Sequence, residues 1–313
     1  MHSQPLSPVH DIAEFRSELS AIHLRLQNRA PNAPIKLFVL IDFTRVPDWA
    51  VFEEQLHSSA RIRLPAVNLY DDLAGLELAK SGPRLLALDL EDEVMDAVMG
   101  LAIEHEAGSF LFASCTLNEL AEHLRSIREV AMPDSGGALF RFQDMHVTAA
   151  LWPLLSPTQK NRILGPARAW VVREACGELH LIEALSTHKR TSTLSFDRKI
   201  VTALDDALFP WTVANQIDEI DTALLAGLSP CARLTLLRER IAHAKTLGLR
   251  QQSDLSLYCA LSLQLPEGFE THPPFARAFE SARSGQSSLG VEIDLITPEQ
   301  WQHSDEILKE TTQ

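Results

Sequence analysis

The run IKLFVLI at residues 35–41 limits the fold of this chain more than any other stretch. It is short, rich in β-branched and aromatic side chains, and bounded by Pro34 and Asp42. Such a run reads as a strand buried at the centre of a sheet. Similar short runs follow at residues 66–70, 84–88 and 109–113, and residues 138–143 (ALFRFQ) alternate apolar and polar as a strand does. Between them lie helical patterns. Residues 47–56 follow Pro47, which suits a first helical turn. Residues 91–104 place Val94, Val98 and Leu101 on one face.

The sharpest local signal is Thr116-Leu117-Asn118-Glu119, a capping box. The Thr116 hydroxyl accepts from the Glu119 amide while the Glu119 carboxylate reaches back. It opens a helix to about residue 128, with Leu117, Leu120, Leu124 and Ile127 inward. Loops are marked by Gly75, Gly82 and Pro83, and by the turn Asp134-Ser135-Gly136-Gly137. Strands and helices alternating in this way predict an α/β lobe, a mixed sheet flanked by helices in three layers.

After about residue 197 the strand signals stop. Ser229-Pro230 predicts a helix start and Gly248 its end, with Leu234, Leu237, Ile241 and Ala244 on one stripe. Ser253 is read as the cap of a second helix to about residue 265, and residues 274–282 as a third. The expected division is therefore an α/β lobe over residues 1–195 and a smaller all-helical lobe over residues 196–313. The polar string at residues 187–193 lies near the join.

Composition narrows the function. The net charge of −14 in 313 residues argues against nucleic acid as a partner, because phosphate binding needs a basic footprint. No apolar stretch is long enough to span a bilayer, and residues 1–15 lack the apolar core of a secretory signal. The expectation is a cytoplasmic protein away from membranes. Cys115, Cys176, Cys231 and Cys259 form no C-x-x-C pair, which suits buried reduced thiols. The acidic stretch between Arg84 and Arg125 reads as a solvated face, or as a patch that steers a basic partner.

No nucleophile elbow, phosphate-binding loop or H-E-x-x-H pair is present. Three constellations can be weighed. Glu104-His105-Glu106 is a poor chelate, since adjacent helical residues point apart. Cys115 with His123 has the residue types of a nucleophile and base, in a position that also suits a structural cysteine. Arg141, Asp144 and His146 are the third. Phe140 and Phe142 share one face, so Arg141 faces the other way and needs a carboxylate, from Asp144 or a neighbouring strand. That group is a structural ion pair or a site at the strand's end.

Residues 108–170 resemble a bacterial family labelled a domain of unknown function, whose members act as adaptors or effector chaperones of type VI secretion. The resemblance rests on Ser114 followed by Leu120, His123 and Leu124, and then on Phe140, Arg141, Phe142 and Asp144. It continues through Trp152-Pro153-Leu154-Leu155 and Gly165-Pro166. Residues 81–89 and 247–275 are similar to flanking parts of the family, so the likeness spans roughly residues 35–285. Where the family reads Asp-Pro-Arg, this chain has Asp144-Met145-His146.

The resemblance implies a non-catalytic adaptor that binds a toxic effector, through its N-terminal region, and hands it to the VgrG spike or PAAR tip. It implies no cofactor, no metal and no turnover. The candidate partner-binding or site-organising residues are Arg141, Asp144, His146, Arg238 and Tyr258. Two other readings fit the residues: a hydrolase or transferase using Asp144 and His146 with a convergent Asp42, and a dimeric scaffold.

Overall fold

The computed structural model describes residues 4–5, 10–52, 54, 65–73, 77–80, 82–134, 136–184 and 193–301. The chain divides into two compact units, Met1–Ala207 and Leu208–Gln313. In the first, β1 (Gln4–Pro5) and α1 (Ile12–Arg29) precede the central strand β2 (Lys36–Ile41), then β3 (Ala66–Asn68) and β4 (Arg84–Leu88). Next come α2 (Met95–Glu104), β5 (Gly108–Ala113), α3 (Leu117–Ile127) and the small strands β6 (Glu129–Val130) and β7 (Ala138–Leu139). The unit continues with α4 (Met145–Leu151), α5 (Pro157–Leu164), β8 (Ala167–Arg173), β9 (Leu179–Glu183) and the start of α6 (Arg198–Ile220).

The main sheet runs β1-β9-β8-β5-β2-β4-β3, and every ladder in it is antiparallel. The α/β class holds, and the strand–helix alternation has a specific cause. β4 and β5 flank β2 and both run against it, so they share a direction and need a crossover, which α2 supplies. Alternate side chains of β2 serve opposite layers. Leu37, Val39 and Ile41 meet Phe15 and Leu19 of α1 and Met95 and Val98 of α2. Phe38 and Leu40 join a core with Leu120 and Leu124 of α3, Met145 of α4 and Ile163 of α5. Three layers result.

The α3 capping box forms as the sequence requires, with Glu119 N donating to Thr116 Oγ1 and Thr116 N to Glu119 Oε2. Two expectations need correction. The strand predicted over residues 138–143 is confined to Ala138–Leu139; Phe140 and Phe142 are buried through alternation alone. Of the four cysteines expected as reduced thiols, Cys115 and Cys259 are free, whereas Cys176 and Cys231 are each in a disulfide. Residues 49–52 and 54 are helical, while residues 53, 55 and 56 of the predicted helix, Gly75 and residues 187–192 lie outside the described residues.

The second unit is helical: the end of α6, then α7 (Pro230–Thr246), α8 (Gln252–Gln264), α9 (Phe275–Ser284) and α10 (Leu289–Asp294). Ser229 caps α7 by accepting from Ala232 N. Ser253 does not cap α8, whose N-cap is Gln251. The core is aromatic, with Tyr258, Phe269, Phe275 and Phe279 in edge or stacked contact. No helix among the described residues is long and apolar enough to cross a membrane.

Gly165 ends α5 at φ +53°, and a Cβ there would lie 2.1–2.4 Å from the ring of buried His123. Both the backbone and the space demand glycine. Gly165→Ala is expected to cost about 3 kcal/mol or more in urea unfolding. A loss below about 1 kcal/mol would show that the α3–α5 contact yields without resistance.

Candidate functional site

The sheet end where β2 finishes carries the densest polar cluster in the first unit. It begins with Asp42, which follows the apolar run directly and has no exposed surface. Its Oδ1 accepts from Thr44 N at 3.1 Å and Thr44 Oγ1 at 2.6 Å. Its Oδ2 accepts from Arg141 Nη2 at 3.2 Å, and the same nitrogen donates to Thr44 Oγ1 at 3.1 Å. The carboxylate that Arg141 needs is thus Asp42, not Asp144.

Asp144 is the N-cap of α4, accepting from His146 N at 3.0 Å and Val147 N at 3.5 Å. The short polar side chain at that position satisfies amides that have no partner inside the helix. His146 then falls on the inner face of α4. Its Nε2 lies 3.0 Å from Glu106 Oε2 and 3.1 Å from Arg45 Nη2. Arg45 also donates to Glu106 Oε2 at 3.0 Å and to the His105 carbonyl at 3.4 Å, and its Nη1 is 3.9 Å from Asp144 Oδ2. Arg45 therefore ties the three acidic and basic groups together.

Glu106 is the least expected member. It is buried, adopts φ +52°, and leaves Oε1 without a hydrogen-bond partner. The sequence grouped it with Glu104 and His105, but the turn after α2 separates it from them and aims it at Arg45. Beside Asp42, the Tyr70 hydroxyl donates to Gln143 Oε1 at 3.2 Å. Burial raises the Tyr70 phenol above its ordinary value.

The other proposed residues lie elsewhere. Burial pushes the Cys115 thiol up, away from a reactive thiolate. His123 is packed against Gly165, with Nε2 2.9 Å from the Ile163 carbonyl. Arg238 is exposed on α7 of the second unit. Tyr258 is buried in that unit's core, and its phenol is pushed up to about 12, chiefly by burial. Arg45, Thr44, Glu106 and Gln143 were not foreseen. Only Glu106 stood within a motif, and nothing in its neighbours showed the positive φ.

Residues 37–162 match the family described as a domain of unknown function, DUF4123. No curated protein and no solved structure matches the chain. The DUF4123 segment begins inside β2 and ends inside α5, so it holds every member of this cluster. It does not hold the whole sheet: β8 and β9 lie beyond it, as does all of the second unit.

Within the DUF4123 segment the signature positions have structural work. Leu120, His123 and Leu124 are the buried face of α3, and Phe140 and Phe142 cover Trp170 and Phe196 by edge contacts. Arg141 binds Asp42, and Asp144 starts α4. Asp144→Ala is expected to lower stability by about 1 kcal/mol in urea unfolding, with Asp144→Asn retaining most of it. An unchanged midpoint in the alanine variant would contradict the capping role.

Proposed function

We propose that this chain is a non-catalytic adaptor that binds a type VI secretion effector and helps load it onto the VgrG or PAAR spike. The observation that carries this reading is the DUF4123 match over residues 37–162. It overlaps the stretch at residues 108–170 that resembles the adaptor and effector-chaperone family. The partners in this reading are the N-terminal region of a toxic effector and the spike, with no cofactor required.

The strand-end cluster supports a non-catalytic role. A general base needs a carboxylate or imidazole free to approach a substrate proton. Asp144 spends its Oδ1 on two amides of its own helix, and Asp42 has both oxygens engaged and no exposed surface. His146 is held between Arg45 and Glu106 with 6% of its side chain exposed. These contacts fasten the end of β2 to the start of α4, which gives an adaptor a rigid frame for a partner surface.

Co-expression of the full chain with a type VI effector and spike protein from the same genome tests this reading. A stable complex that raises the soluble yield of the effector is expected, and His146→Ala should leave that yield unchanged. Failure to form a complex with either protein, or measurable hydrolysis lost on His146→Ala, would overturn it.

A further inference from the structure

The helical unit contains a cavity lined by its own residues. It measures about 200 Å³, and its lining includes Arg240, His243, Tyr258, Glu267, Phe269 and Glu270. Space of that size exceeds what a single water needs and suits a side chain with its backbone. The aromatic part is rigid. Tyr258 is stacked on Phe269 with centroids 5.9 Å apart and meets the edge of Phe279 at 5.9 Å.

Arg240 gives the cavity its chemistry. Its Nε is buried and has no hydrogen-bond partner, and no ion pair to it exists among the described residues. Other partly buried arginines have an acid within the chain: Arg128 binds Asp72 through both Nη atoms, and Arg233 binds Asp218 at 2.9 Å. A buried guanidinium N–H without an acceptor is unfavourable until one arrives. The nearby acids do not supply one. Glu270 is engaged by His243 Nε2 at 3.2 Å, and Glu267 is exposed to water.

We infer that this cavity binds a peptide carboxylate carried beside an apolar side chain. Arg240 takes the carboxylate, since its fork of donors matches a pair of oxygens, and the apolar neighbour lies on Tyr258 and Phe269. Assigning the carboxylate to a peptide, as opposed to a free small acid, rests on the adaptor reading. Arg and Tyr are also residue types that anchor protein interfaces. Glu267 opposes the incoming charge from outside, which limits affinity.

The test is a titration of the full chain, read on the Arg240 Nε–H NMR resonance, with three probes. They are acetyl-Leu-Glu-amide, its neutral counterpart acetyl-Leu-Gln-amide, and acetyl-Leu-Leu with a free carboxyl end. Saturable shifts are expected for the Glu peptide, with binding about tenfold weaker for the Gln peptide. Arg240→Gln should abolish the difference between the two, followed on the Tyr258 ring resonances. Glu267→Gln should tighten the Glu peptide about twofold, and Lys245→Gln, an exposed change on the Arg240 helix, should change nothing.

Tighter binding of the free-acid peptide would support the site and assign its carboxylate to a chain end. Equal binding of the Glu and Gln peptides by the unmodified chain, or no saturable shift, would overturn the inference without relying on any variant. Co-purification separates the two claims. Peptide binding without an effector complex sinks the adaptor reading alone, and an effector complex without peptide binding sinks the carboxylate site alone.

Discussion

A carboxylate with no exposed surface at the end of the central strand sets the terms for the rest of the first unit. Asp42 lies among apolar neighbours, and a buried carboxylate left without partners costs several kcal/mol. Thr44 and Arg141 meet it, and the meeting fixes where the segment after β7 can pass. With Arg141 placed, Phe140 and Phe142 turn inward onto Phe196 and Trp170, and Asp144 stands where α4 begins. His146 is thereby delivered to Glu106 and Arg45. One buried charge thus orders a chain of contacts from β2 to α4.

Those contacts also give the residues of the DUF4123 segment a structural role. His123 and Gly165 touch because the ring fills the space a Cβ would occupy. Leu120 and Leu124 seal α3 onto the sheet. A sequence signature built from such positions preserves a scaffold. The second unit, outside the DUF4123 segment, offers a cavity with different chemistry.

Much of this was legible in the sequence because it is governed by local physics. The apolar run of β2, the capping box of α3 and the Ser229-Pro230 start of α7 each depend on residues close in the chain. The alternation in residues 138–143 turned Phe140 and Phe142 inward and Arg141 outward as expected but overstated the strand, since burial of the two rings needs no ladder. Ser253 has a capping side chain, yet α8 begins before it, and the expected lobe boundary near residue 195 gave no sign of the long helix α6. The pairing of Arg141 with Asp42 spans 99 residues. No periodicity reports which of several acids lies across such a gap, or that Glu106 will adopt a positive φ.

The most direct test of the claim that Asp42 and Arg141 fasten this fold is a double-mutant cycle in urea unfolding. Asp42→Ala, Arg141→Ala and the double variant would be compared with the unmodified chain. The account predicts a coupling energy of about 1–2 kcal/mol, with Asp42→Ala the costlier single change because it strips Arg141 and Thr44 of a shared acceptor. Effects that add within about 0.3 kcal/mol would contradict it and leave the two residues as independent neighbours.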